Sequence, residues 1–347
     1  MKHSIILLLT LNLFSFDLIT TNSNDLESFS ITPKSTPKSE VFHNAYDYLA
    51  SLKSSNAIVE YALYDQDAKV KNKKILDLSG ISGIGSVHKN STYYFIYDDE
   101  TLFALDDDLE VAKTIKLGKK SKIFTTNDHI YALSTTPATF DAKDPFSAGF
   151  GGSDLRLSRY DMSLLEAKSR SFGTRDDDTA ISVVANGDRI FALASAKSKA
   201  VLYIFDQDLK LLSKNEFDNI KPKALDLAED SLIITLEELG FMQVDLSGKI
   251  VKQKSIKSRY KSEINGLKRT KDGYIACGSV VDGSDTDALV MKLDEALTLV
   301  DQAHFGSLEY QSFSDIKPLN DGTFIAFGVD ESRAFVLKLS SDLVPIK

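Results

Sequence analysis

The feature that most constrains this chain is a hairpin that returns along most of its length. Its clearest copy lies in Ile264 to Gly306, INGLKRTKDGYIACGSVVDGSDTDALVMKLDEALTLVDQAHFG, which reads as four short strands. An apolar segment at Ile264–Leu267 meets a turn at Lys271-Asp272-Gly273, and the run Tyr274–Cys277 follows. An acidic loop at Asp282–Asp287 leads to Ala288–Leu293, a turn at Asp294-Glu295, and a last alternating strand at Leu297–Phe305. Asp-Gly between alternating runs is a strong hairpin signal.

The pattern of apolar run, Asp or Ser at a turn, and second alternating run recurs from Val59, Leu102, Leu155, Val201, Phe241, Ala288 and Ala334. Its turn aspartates, Asp65, Asp106, Asp161, Asp206, Asp245 and Asp294, stand 41, 55, 45, 39 and 49 residues apart. A period in the forties is that of propeller blades. Between these hairpins sits a second set, turning at Lys89-Asn90, Asn127-Asp128, Asn186-Gly187-Asp188, Glu229-Asp230, Lys271-Asp272-Gly273 and Asn320-Asp321-Gly322. The strands leaving them, such as YYFIY, RIFALAS and LIITL, are near-continuously apolar, which suits strands covered on both faces. The last strand of each unit alternates charged with apolar residues, as an outer, half-exposed strand would.

The sequence therefore predicts an all-β fold, a β-propeller of four-stranded antiparallel blades. Six full units cover about 82–346, and the leading hairpin at Val59–Leu76 either joins a seventh blade, completed by the segment before it, or caps a six-bladed ring. Seven blades is the favoured count. The domain is expected over 58–347, after a signal-like segment at 1–23 and a lead-in at 24–57 whose Glu40–Leu52 suits a short helix or a strand.

The chain of 347 residues carries 43% hydrophobic and 26% charged residues, which excludes global disorder. Its formal charge of −9 argues against a nucleic-acid binder. The start, MKHSIILLLTLNLF, pairs Lys2 with an apolar run too short for an ordinary membrane span, so export to the periplasm or the exterior is expected, with no membrane span after removal of the signal. The single cysteine, Cys277, lies in an apolar strand and reads as a buried small hydrophobe, and no disulfide can form within the chain. Oligomeric state is not legible.

The sequence resembles a family of secreted bacterial β-propeller repeat proteins. The resemblance rests on Gly151-Gly152-Ser153-Asp154-Leu155 with Tyr160-Asp161, on Asp282-Gly283-Ser284-Asp285 with Leu289–Asp294, and on His304-Phe305-Gly306, Ser314-Asp315-Ile316 and Asn320–Gly328. The tryptophan often found in the last strand of that repeat is absent, as is any tryptophan. The resemblance implies export and a propeller; it implies no single activity.

No nucleophile elbow or other catalytic constellation is present, and none of the five histidines has a partner at metal-ligand spacing. The D-x-D turns and the acidic loop Asp282, Asp285 and Asp287 are where calcium ligands would gather, yet no calcium loop is complete and turn chemistry accounts for them. Hence no cofactor or metal is expected, with calcium the one alternative. Asn90-Ser91-Thr92 matches a glycosylation acceptor, meaningful only in a eukaryotic secretory host.

In a four-stranded blade the loops joining second to third strands share a face with the connections between blades. On this face the former carry Asp98, Asp99, Glu100, Asp141, Asp144, Asp154, Glu237, Glu238, Asp282, Asp285, Asp287, Asp330 and Glu331, and the latter Lys119, Lys120, Arg175, Lys221, Lys223, Lys257, Arg259 and Lys261. Both signs mix, so steering of one charge class is not expected. The longest insertion, Thr135–Ser153, falls there with Phe140, Phe146 and Phe150 as candidate anchors beside Asp141 and Asp144. The expected function is non-enzymatic binding of a protein or glycan through Phe140, Asp141, Asp144, Phe146, Phe150, Asp282, Asp285 and Asp287. The alternatives are a hydrolase or lyase using Asp176, Asp177, Asp178, Asp282 and Asp285, and a structural envelope component.

Overall fold

The computed structural model describes the backbone of strands between Ile5 and Tyr97. With side chains, it describes residues 101–137 and 152–346 apart from gaps at 107, 109, 127, 162–163, 229, 282–284, 307–309 and 329–335; strands reaching into the gaps at 282 and 329–335 are described by backbone alone. The described elements are strands. Contacts divide the chain into one compact unit of Met1–Ser79, Glu237–Phe241 and Lys254–Lys347 and another of Gly80–Leu236 and Met242–Gln253.

In the first unit β1 (Ile5–Leu11) and β2 (Phe14–Thr20) form a hairpin. An antiparallel sheet follows, of β3 (Ser39–His43), β4 (Asp47–Lys53), β5 (Ile58–Asp65) and β6 (Val70–Asp77). The segment before the leading hairpin thus supplies the two strands that complete it to four.

In the second unit β7 (Val87–Lys89), β8 (Tyr94–Tyr97), β9 (Thr101–Leu105) and β10 (Val111–Lys116) form the next sheet. It is followed by β11 (Lys119–Thr125), β12 (Ile130–Pro137), β13 (Ser153–Tyr160) and β14 (Glu166–Phe172). The third is β15 (Asp178–Asn186), β16 (Arg189–Ala196), β17 (Lys199–Asp206) and β18 (Leu211–Asp218). Then come β19 (Pro222–Ala228), β20 (Ser231–Leu236), β21 (Gly240–Asp245) and β22 (Ile250–Ser255).

The first unit resumes with β23 (Lys261–Thr270), β24 (Gly273–Asp282), β25 (Asp285–Asp294) and β26 (Leu299–Gly306), to whose edge β2 pairs. A three-stranded sheet of β27 (Gln311–Pro318), β28 (Phe324–Asp330) and β29 (Arg333–Leu339) ends it, with an isolated bridge from Leu339 to Pro345. Among the described residues the strands form seven sheets, each a simple antiparallel meander apart from the added β1–β2 hairpin. These are the up-and-down blades of an all-β propeller fold.

Burial explains the meander. The middle strands β16 and β17 are covered on both faces, whereas the outer strand β18 exposes half of its residues and β22 most of them. Alanines of β16, Ala192, Ala194 and Ala196, leave room for the large rings Tyr203 and Phe205 of β17, and Phe172 meets both rings edge-on at 4.6 and 4.9 Å. Each such fully buried aromatic contributes on the order of 2–3 kcal/mol. In the first unit Ile275, Cys277, Val290, Phe305, Phe313 and Leu337 form the equivalent packing, and burial pushes the Cys277 thiol well above its usual pKa.

The hairpin turns share one design. Asp161, Asp206, Asp245 and Asp294 each accept, at the side-chain oxygen, the backbone N–H four residues on. Three residues after each, a residue with left-handed backbone returns its N–H to the aspartate carbonyl: Leu164, Leu209, Gly248 and Leu297. The three leucines are buried, so each turn also pins an apolar side chain into the sheet packing. The structural reading of these turn aspartates is thereby accounted for bond by bond.

Candidate functional site

The site is built where the long connection between β12 and β13 rejoins the sheet. Gly152 donates its N–H to Asp177 Oδ1 at 2.5 Å, and the Ser153 hydroxyl donates to the Asp178 carbonyl at 3.0 Å. From the neighbouring strand the Thr135 hydroxyl accepts the Ala180 N–H at 3.0 Å. The Arg175–Asp178 turn is held in the same way: Thr174 donates its N–H (2.6 Å) and its hydroxyl (3.2 Å) to Asp178 Oδ2, and the Thr174 hydroxyl accepts the Asp176 N–H at 3.0 Å.

This framework brings two carboxylates together. Asp154 is the second residue of β13 and Asp178 the first of β15, and they are 1% and 0% exposed. Between them lies Gly173. A Cβ built on Gly173 would sit 2.6 Å from Asp154 Oδ1 and 2.8 Å from Asp178 Oδ2, so both oxygens face one point that glycine alone leaves open. Burial pushes the Asp178 pKa up to about 6; the bonds from Thr174 act against this, the charge of Asp154 adds to it, and Lys214 opposes it weakly. Asp178 Oδ1 is buried without a hydrogen bond. So is the Tyr203 hydroxyl, whose pKa is raised by burial and then by the charges of Asp178, Glu216 and Asp154.

The corresponding positions in other sheets differ in an informative way. Asp154 precedes Leu155, which pairs with Phe172, and Gly173 follows. In the sheet of β15–β18 the pair Ala200–Phe217 is the equivalent, and the carboxylate position is Lys199, 2.9 Å from Glu216 and 3.3 Å from Asp218. In the sheet of β7–β10 Thr101 holds the place and accepts from Lys116 Nζ at 3.1 Å. In the sheet of β23–β26 the pair Ala288–Phe305 puts Asp287 beside Gly306, with Asp287 the nearest side chain to a Cβ built there. Five residues beyond Gly306 stands Gln311, 2% exposed, in the place Asp178 takes after Gly173. The architecture thus accommodates one acid at this place without the second.

Of the residues expected to bind, Phe140, Asp141, Asp144, Phe146 and Phe150 lie outside the described residues, as does the side chain of Asp282. Asp285 is 3% exposed and Asp287 half-buried, so neither is an open rim contact. His304, on the same sheet, is buried with Nε2 lacking a hydrogen bond, and burial lowers its pKa to about 4. Among the candidate catalytic acids Asp177 is exposed, Asp176 half-buried, and Asp178 lies across Gly173 from another carboxylate, that of Asp154. Asp154 was legible as a loop acid, Gly173 not at all; the Phe-Gly pairs at 172–173 and 305–306, each ending a fourth strand, were the available signal. Among the described residues no three His, Cys, Asp or Glu side chains gather to hold a metal.

Comparison with known proteins adds to the fold. No family model matches the sequence, and no curated protein matches it. Among solved structures, the chain is similar to a protein of unknown function from Bacteroides caccae, with 12% identity and a TM-score of 0.50 over 75% of this chain and 94% of that one. The likeness is one of fold. It carries no activity with it.

Proposed function

We propose that this protein is an exported, non-enzymatic β-propeller of seven blades that binds a protein or glycan through the connection between β12 and β13. The observation that carries the reading is the anchoring of that connection: Gly152 and Ser153 are tied to Asp177 and Asp178, and Thr135 to Ala180. Long connections whose ends are fixed to a packed sheet are where rigid scaffolds carry recognition. Phe140, Phe146 and Phe150 are the anchors such a loop offers, with Asp141 and Asp144 beside them. Seven sheets among the described residues support the blade count, and the apolar start of the sequence supports export.

The enzymatic alternative is less well supported. The carboxylates of Asp154 and Asp178 are sealed from solvent, so neither acid reaches a substrate in this conformation. The test is capture from an envelope extract and on a glycan array by the full chain and by a variant lacking residues 141–151. Loss of capture with an unchanged melting temperature is the expected result; capture by the shortened variant equal to that of the parent overturns the reading.

A further inference from the structure

We propose that Asp178 is a proton-operated latch: its neutral carboxyl keeps the Thr174–Asp178 turn in place, and its charged form lets that turn, with the ends it ties at Gly152 and Ser153, come loose more often. The inference goes beyond partner binding and is tested without a partner.

The first support is which atoms carry the bonds. Asp178 is 0% exposed, and Thr174 gives both its N–H and its hydroxyl to Oδ2, at 2.6 and 3.2 Å. Oδ1 is also buried and receives no hydrogen bond. A proton on Oδ1 therefore removes the charge and leaves the Thr174 bonds where they are. The ionised form keeps a full charge from water with one oxygen unserved, which is the costlier state.

The second support is the set of groups around it. From β13 Asp154 faces Asp178 across Gly173, and from β17 comes the neutral phenol of Tyr203. Lys199, also on β17, is engaged by Glu216 and Asp218 at 2.9 and 3.3 Å. Lys214 of β18 is 2.8 Å from Glu216 and lies over the Tyr203 ring, and the residue paired with Asp178 in β16 is Ala196. The turn itself adds Arg175 and Asp177, both exposed, and the half-buried Asp176. Burial dominates in this setting and lifts the Asp178 pKa to about 6, against the pull of the Thr174 bonds and with the help of Asp154.

The third support is connectivity. From Asp178 onward the chain is laddered to β16, so the side that can yield is the turn before it. Asp177 Oδ1 accepts the Gly152 N–H and the Asp178 carbonyl accepts the Ser153 hydroxyl, so movement of the turn towards water loosens both. A group whose folded pKa is raised contributes stability below its ordinary pKa and loses it as pH rises through the folded value. If opening returns the carboxyl from about 6 to its ordinary 3.8, openings grow more frequent across that window, by up to roughly a hundredfold, and level off above it.

The test is amide hydrogen exchange of the full chain followed by NMR, with each rate divided by that of an unstructured peptide at the same pH. Protection at Thr174 and Gly152 is expected to fall at least tenfold between about pH 4 and 6.5. The Leu209 amide, bonded to the Asp206 carbonyl in a hairpin turn, serves as the reference and is expected to hold steady. Asp178→Asn keeps an oxygen for Thr174 and carries no charge. It is expected to retain the acid-level protection at every pH and to melt a few degrees above the parent at neutral pH. Protection at Thr174 and Gly152 that runs parallel to Leu209 overturns the proposal, as does a folded Asp178→Asn that keeps the parent's pH dependence. The carboxyl carbon of Asp178 provides a reading that needs no variant: a titration midpoint at the ordinary value overturns the proposal as well. Partner capture plays no part in these measurements, so a failure of binding and a failure of the latch are told apart.

Discussion

His304 illustrates how one residue's surroundings set a measurable property. It is 5% exposed, its Nε2 makes no hydrogen bond, and burial lowers its pKa from 6.5 to about 4. The folded protein therefore binds fewer protons at this position than the unfolded chain between those values. Its contribution to stability is full above the unfolded pKa and declines as pH falls from about 6.5 towards 4, by about 3 kcal/mol in all. His304→Gln keeps a similar length without the titration. Its melting temperature is expected to fall less than that of the parent between neutral pH and mildly acidic buffer, and equal slopes would show that the imidazole is not held neutral. At this scale the sequence was readable only in part. A histidine and a cysteine inside apolar strands announce burial, as Cys277 does, because alternation along a strand fixes which face each residue takes. The meeting of Asp154 with Asp178 is set by the register of β14 and by the five residues that follow it, and neither residue type nor spacing encodes that.

At the scale of the element, the hairpins were the most legible part of the chain. Aspartate at a turn announces itself because its side chain bonds nearby N–H groups, and Asp161, Asp206, Asp245 and Asp294 do so. What composition concealed is the residue three positions later. A leucine there is unexpected, since left-handed backbone brings a Cβ close to the following carbonyl oxygen and costs roughly 1–2 kcal/mol. Leu209 adopts it with φ of 57° and is 1% exposed. Burying its side chain yields more than the backbone loses, because a leucine removed from such packing costs about 2–5 kcal/mol. Leu209→Gly relieves the strain and empties the pocket, so the net expectation is a loss of roughly 1–3 kcal/mol, read as a lower denaturant midpoint. A midpoint that rose would mean that backbone strain, not packing, dominates these turns. Gly248, which holds the same place in the β21–β22 turn, marks the copy in which the opposite solution was taken.

At the scale of the whole molecule, the repeat dictates more than any single strand. Each meander has two apolar faces and cannot be stable alone, so every sheet needs a neighbour on either side. Within the first unit this need is met across the greatest distance in sequence: β3 and β4 lie against β27, β28 and β29. The three-stranded last sheet is thus covered by strands from a segment whose composition favoured neither strand nor helix clearly, which is why the period alone left six and seven blades both open. Pairing, not propensity, makes β3 and β4 strands. Removing residues 1–57 deletes both strands and uncovers apolar surface over β27–β29, whereas removing 1–38 leaves both in place. The shorter deletion is expected to melt close to the parent; the longer is expected to melt many degrees lower and to bind a hydrophobic dye. Equal melting of the two variants by circular dichroism would mean that β3 and β4 add nothing to the packing of the last sheet, and that the sheet of β27–β29 is held by β23–β26 alone.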